Sequence, residues 1–295
     1  MHEHGYSVIG VGRQETAPVE IKDVLDQYIA CDLTDQEATD KLPLENVGSI
    51  INLAGLANVG ASFDNPEAYK RVNVQTLENI CKSLLKKNLQ DTRVLAISTG
   101  GVYNQNNPLP NSEESETFDL DVNNPYIVSK LLMERSAAEY RKQGIDCITV
   151  RPFNHIGPGQ LPGFLIPDLA EQIQAAKDGD GTLLNKDLEK KRRDFTDVRD
   201  VARAYRLLVE AAPSDLHYEI YNVCSGHSVS AKYILDLLLK EMGAKNIEVM
   251  VDENHKKREV DPDDIYGDSS RLQHDTGWKP EIAIEQTIKD FVANL

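Results

Sequence analysis

Short apolar runs alternate along the first half of this chain with stretches whose apolar residues recur at helical spacing. The runs at 6–13, 28–33, 47–55, 93–100 and 146–151 read as strands. They end in glycines and Arg13, in Asp32, in Leu53-Ala54-Gly55, in Ser98-Thr99-Gly100 and in Arg151. A short helical piece is expected over 21–27. A long helix is expected over 66–87, apolar at Ala68, Val72, Leu77, Ile80, Cys81, Leu84 and Leu85. Another is expected over 125–142, where Asn124 suits the N-cap and Pro125 the first helical position. Strands alternating with helices imply right-handed crossovers and a parallel sheet covered by helices, with ligands bound beyond the carboxyl ends of the strands. Gly12, Asp32, Gly55, Thr99 and Asn154 fall at those ends.

The second half has another texture. Residues 153–163 are rich in Pro and Gly and read as a loop leading to a smaller domain. Helices are expected over 166–177, 198–211, 230–242 and 284–295, and strands over 218–223 and 247–251. The expected division is a sheet domain over 1–155 and mainly a smaller domain over 156–295, with parts of 196–225 packing back on the first.

Composition narrows the function. The charge is −16, from 32 basic against 48 acidic residues, which argues against a nucleic-acid or anionic-membrane surface. No run of 18 apolar residues occurs, and Met1-His2-Glu3-His4-Gly5 has no signal-peptide pattern. Cys31, Cys81, Cys147 and Cys224 lie far apart without metal-like spacing, and the seven histidines form no ligand pattern. A cytoplasmic protein with buried free thiols and no metal is expected.

The candidate chemistry sits at the start of the 125–142 helix. Tyr126 and Lys130 are one turn apart on one face. An ammonium near a phenol favours the phenolate, so the tyrosine can exchange a proton with an alcohol or sugar oxygen near neutral pH. The plain alternative is an amphipathic helix with a half-buried tyrosine and a solvated lysine.

Further residues decide between these. Ile97-Ser98-Thr99-Gly100-Gly101-Val102-Tyr103, the stretch Tyr126 to Lys130, the ten residues from Arg151, the eight from Arg193, Tyr221-Asn222-Val223-Cys224-Ser225-Gly226 and Thr276-Gly277-Trp278-Lys279-Pro280 accompany the pair. Together they resemble the extended short-chain dehydrogenase/reductases that act on nucleotide sugars. The look is closest to the GDP-4-keto-6-deoxymannose reductases and the related GDP-mannose 4,6-dehydratases. The resemblance implies a Rossmann-like doubly wound parallel sheet with a smaller C-terminal α/β substrate domain. It implies Tyr126 as general acid/base, Lys130 on the nicotinamide ribose and Thr99 on the reacting sugar oxygen. Asp32 and Leu33 match positions that meet the adenine, and Leu53, Ala54 and Gly55 form a turn under the cofactor. Asn73 is either a cofactor contact or a brace of that turn. Asn154, Arg193 and Arg258 match residues that bind the substrate's nucleotide or phosphates, for which the planar arginine fork is suited. Arg13, with no acid beside it at the end of the strand, favours NADP, with NAD possible; the plain reading is a surface arginine. A homodimer through the helices 66–87 and 125–142 is expected by analogy.

Two departures from the family stand out. Gly10-Val11-Gly12 lacks the third glycine of the phosphate-binding turn, and Ala17-Pro18 breaks the helix that should follow. The stretch is therefore read as the end of the family's second strand. The first strand is then missing, its sheet neighbours lack a partner, and Met1 is expected to be an internal start. The second departure is Gly101, where the dehydratases of this family carry a carboxylate. Dehydration is therefore disfavoured, although Glu113, Glu114 and Glu116 follow in the next loop. The expected function is reduction of a GDP-linked 4-keto-6-deoxyhexose at C4. The alternatives are a nucleotide-sugar 4-epimerase, a GDP-mannose 4,6-dehydratase, or a non-catalytic binding protein on the same fold.

Overall fold

The structure is a computed structural model and describes residues 1–179, 181–185, 188, 190–244, 246–251, 260 and 262–295. Contacts divide the chain into two units: Met1–Ser98 with Asp119–Thr149, and Thr99–Phe118 with Val150–Leu295.

The first unit contains β1 (Ile9–Gly12), β2 (Gln27–Ala30), α1 (Gln36–Asp40), β3 (Ser49–Asn52), α2 (Pro66–Lys87), β4 (Arg93–Ile97), α3 (Pro125–Lys142) and the start of β5 (Cys147–Pro152). Its strands pair in parallel: Ile9 lies opposite Gln27, and Ser49 opposite Arg93. They form two separate pieces, β1-β2 and β3-β4-β5. β1, β2 and β3 each keep one edge that pairs with no strand among the described residues. Gly10-Val11-Gly12 lies in β1 and leads into no α-helix; a Cβ on Gly12 would come within 2.7 Å of the Tyr28 hydroxyl. The glycine there makes room for a neighbouring side chain.

Both long helices begin where their caps dictate. The side chains of Asn65 and Asn124 accept the amides of Ala68 and Ile127, with a proline at each first position. α2 ends at Asn88, whose φ of 55° closes the last turn. The apolar faces of α2 and α3 meet the strands through Leu77, Ile80, Cys81, Leu84, Met133 and Ala137 against Val94, Ala96 and Cys147. The expected helix over 21–27 is only one tight turn at Lys22–Val24, because β2 already begins at Gln27.

The second unit takes the end of β5, then β6 (Asn154–Ile156), α4 (Leu165–Asp178), β7 (Thr182–Asn185), β8 (Arg192–Arg193), β9 (Phe195–Asp197), α5 (Val198–Glu210), β10 (Ile220–Val223), β11 (Val229–Ser230), α6 (Ala231–Glu241), β12 (Glu248–Val251), β13 (Asp264–Ile265), α7 (Ser270–Thr276) and α8 (Ile284–Ala293). β10 lies beside β5, with the Phe153 amide donating to the Val223 carbonyl at 2.9 Å. The expected loop at 153–163 contains β6, which pairs in parallel with β9. The core gathers Ile166, Leu169, Ile173, Ile234, Leu238, Ile288 and Phe291 from α4, α6 and α8.

Residues 99–118 belong to this unit through a buried polar network. Arg151 donates to the Tyr103 hydroxyl at 3.1 Å, and that hydroxyl donates to Asn222 Oδ1 at 2.7 Å. Asn222 Nδ2 donates to the Asn111 and Asp268 carbonyls, and its amide donates to Glu113 Oε1 at 2.8 Å. All but the link to Asp268 are made between groups shielded from water, where an unpaired one would be costly.

Candidate active site

In the first unit the geometry converges on Lys130. Its side chain is buried, and Nζ donates to the Ile97 carbonyl at the end of β4 over 2.7 Å. Burial lowers its pKa to about 8, opposed by the carboxylate of Glu134 one turn further along α3. Glu134 accepts a short hydrogen bond from Ser98. Lys130 is therefore no solvated lysine of an amphipathic helix. Four residues earlier, in the first turn, Tyr126 is half-buried, its ring edge-on to Tyr69 of α2 with centroids 6.4 Å apart. Tyr69 is itself fixed by a hydrogen bond to the Asn58 carbonyl.

The turn after β3 is built for close approach. Leu53 is 69% exposed although it follows directly on an apolar strand, and Ala54 and Gly55 beside it are exposed as well. A Cβ on Gly55 would stand 2.9 Å from Asn73 Oδ1 and 3.7 Å from Lys130 Nζ. Asn73 is buried and spent as a brace. Its Oδ1 accepts the Leu56 amide at 2.7 Å, and its two amide protons go to the Leu56 carbonyl and to Ser129 Oγ. Ser129, which the sequence did not single out, completes this brace and donates in turn to the Tyr126 carbonyl at 2.7 Å.

Asp32 is exposed beyond β2. Its carboxylate accepts the amide and hydroxyl of Thr34, which with the nearby positive charges of Arg13 and Arg71 hold it below the usual carboxylate range. Arg13 is exposed beyond β1, and Arg71 on α2 is a second cation in that field that the sequence reading missed. The Leu33 side chain packs on the core, while its carbonyl accepts Asn79. Bare backbone under an exposed leucine, with a buried ammonium beside it and cations around an exposed acid, fits a dinucleotide at its nicotinamide and adenine ends.

The second unit holds Thr99, Asn154 and Arg193. Thr99 caps the tight turn Gly100–Val102 by accepting the Gly101 amide at 3.1 Å. A side chain at Gly101 would make only ordinary contact with Thr99, so the missing carboxylate is not a matter of space. Asn154 is exposed on β6, opposite Phe195 of β9, and half-buried Arg193 precedes that partner by two residues. Arg258 lies outside the described residues.

The three acids around Arg193 are structural. Asp194 accepts the amides of Ser225, Gly226 and Gly267. Asp197 caps α5 and accepts the Thr287 hydroxyl; Asp200 accepts the amides of Glu281 and Ile282. Glu113 is equally committed: buried, bonded to Asn222 and 3.6 Å from Arg271, with burial raising its pKa. Glu114 pairs with Arg271, and Glu116 is exposed.

Comparison with known proteins follows the same lines. A profile of the NAD dependent epimerase/dehydratase family matches residues 1–224. The GDP-6-deoxy-D-mannose reductase of Pseudomonas aeruginosa is 32% identical over 268 residues, covering 89% of this chain and 85% of that protein. A putative UDP-glucose 4-epimerase of Methanocaldococcus jannaschii is 28% identical over 98% of this chain and 90% of its own length. The structure of RMD from Pseudomonas aeruginosa complexed with NADPH superposes with a TM-score of 0.81 at 28% identity, covering 98% of each chain.

Proposed function

This chain belongs to the NAD dependent epimerase/dehydratase family, and from that premise we propose that it reduces a GDP-linked 4-keto-6-deoxyhexose at C4 using NADPH. It is an NAD(P)-dependent enzyme of the nucleotide-sugar oxidoreductase and epimerase group. The buried Lys130 ammonium, one turn from Tyr126, is the observation that carries the proposal.

When bound, the nicotinamide supplies hydride for the sugar carbon. Tyr126 gives its hydroxyl proton to the ketone oxygen, so the ketone becomes an alcohol and the phenolate is left. Lys130 stabilises that phenolate and holds the nicotinamide ribose. Thr99 hydrogen-bonds the sugar oxygen. Leu53, Ala54 and Gly55 would lie along the cofactor, Asp32 and Leu33 would meet its adenine, and Arg13 with Arg71 would hold the additional phosphate of NADPH. Asn154 and Arg193 take the substrate's nucleotide and phosphates, with Arg258 as a further candidate. A homodimer through α2 and α3 belongs to the same reading.

Dehydration fits less well. Gly101 has no acid to offer, and Glu113 is spent on Asn222. A 4-epimerase is the second reading, supported by the similarity to the Methanocaldococcus protein over nearly the whole chain. The two differ in stoichiometry. With NADPH and GDP-4-keto-6-deoxymannose, a reductase consumes one NADPH for each sugar reduced. An epimerase interconverts nucleotide sugars with no net consumption. Absence of NADPH oxidation with this keto-sugar, alongside epimer formation from UDP-glucose, would reject the reductase.

A further inference from the structure

Away from these residues, the second unit contains a cluster that the sequence reading passed over. Asp275, in the last turn of α7, has a side chain with no exposure to solvent, yet it is flanked by two exposed histidines. His217 Nδ1 stands 2.9 Å from Asp275 Oδ1, and His274 Nδ1 stands 2.7 Å from the same oxygen. The other oxygen, Oδ2, is saturated: it accepts the Tyr221 hydroxyl at 2.6 Å and the His217 amide at 2.8 Å. The carboxylate is thus fixed in rotation, with Oδ1 turned toward both imidazoles. Burial alone would raise its pKa, but the hydrogen bonds from Tyr221, His217 and His274 outweigh this and hold it ionised well below the usual range.

We infer that His217, His274 and Asp275 form a site for an imidazole-seeking divalent transition-metal ion such as Zn²⁺. One donor atom from each residue lies within 4.8 Å of the other two. Bonds of about 2.0–2.1 Å in zinc's tetrahedral geometry set donor-to-donor edges of about 3.4 Å. The two observed separations, 2.9 and 2.7 Å, are hydrogen bonds shorter than that, and both rings are exposed and can turn to open them and bring the third edge to length. Two imidazoles and a carboxylate suit zinc, nickel or iron(II) far better than calcium or magnesium, which prefer all-oxygen shells. Three protein ligands leave remaining positions to water. The Tyr221 hydrogen bond has the place of an outer-shell contact that orients a ligating carboxylate. The ion would replace the hydrogen bonds from the two Nδ1 atoms and tie the segment before β10 to the end of α7.

The signal was invisible along the chain because His217 and Asp275 are 58 positions apart. Nothing in the proposed reduction uses these residues, so the test needs no activity measurement. Zn²⁺ is titrated calorimetrically into the full metal-free chain, and into His217→Ala, His274→Ala and the double variant. His2 and His4 are kept in all four, so whatever they bind is a common background. Co²⁺ absorption gives a second readout of nitrogen and oxygen ligation. The expected result is one Zn²⁺ bound above background, at least tenfold weaker in each single variant and absent in the double. Zn²⁺ should raise the melting temperature of the wild type but not of the double variant. Equal binding by wild type and double variant, or no binding by the wild type, would overturn the site.

Discussion

Lys130 Nζ lies 2.7 Å from the Ile97 carbonyl oxygen, so a charge on α3 is held against the end of β4 inside the first unit. This placement carries a stability cost with a definite pH dependence. Burial lowers the lysine from an ordinary 10.5 to about 8. Between those values the unfolded chain holds a proton that the folded chain has lost. The cost is therefore fully present below pH 8 and fades as the pH rises toward 10.5. The stability of Lys130→Met minus that of wild type should fall by about 2–3 kcal/mol between pH 7 and pH 10.5. Urea denaturation at the two pH values measures it, and a difference independent of pH would contradict the assignment.

The brace at the turn after β3 makes a separate prediction. Asn73 joins Leu56 on the turn to Ser129 on α3 through three hydrogen bonds. Asn73→Ala should cost about 1–3 kcal/mol of stability, since it leaves buried partners unsatisfied. It should also weaken NADPH binding by loosening Gly55. Denaturation and fluorescence titration of the variant give the two quantities.

How much of this was legible beforehand depends on the length of each element. α2 and α3 could be read from Asn65-Pro66 and Asn124-Pro125, because a cap and a proline are local signals that packing does not override. The strands are shorter than their apolar runs, since residues such as Leu53 and Thr99 continue the apolar or β-branched pattern after the chain has left the sheet. β6, β8 and β9 escaped because two or three residues carry no period. Tyr126 and Lys130 were readable because they share one helix. Ser129, Arg71 and the commitment of Glu113 were not, because each depends on a partner distant in sequence. Three of the eight residues from Arg193 are acids that bind backbone amides of their own unit, a role that depends on partners the stretch itself does not show.

Glu113 provides a test of the reading that dehydration is disfavoured. Its carboxylate accepts the Asn222 amide in a buried network and has no freedom to move a proton on a sugar. Glu113→Ala should lower stability by about 2–3 kcal/mol, while Glu113→Gln, which can still accept that amide, should lose less. Melting curves of the two variants check the order, and equal stability of all three proteins would contradict it.

Arg13 is expected to set cofactor choice through the additional phosphate of NADPH. Arg13→Ala should raise the KM for NADPH about tenfold or more and leave that for NADH within twofold, because one arginine–phosphate pair is worth roughly 1.5–3 kcal/mol. Steady-state kinetics with both cofactors decide it. Equal effects on the two would make Arg13 a surface residue.

Tyr126 is the proposed proton donor to the sugar oxygen, and Tyr126→Phe isolates that hydroxyl. With NADPH and GDP-4-keto-6-deoxymannose, kcat should fall by about 10²–10⁴-fold, while calorimetric binding of the nucleotide sugar stays within about threefold of wild type. Turnover close to that of the wild type would contradict the account.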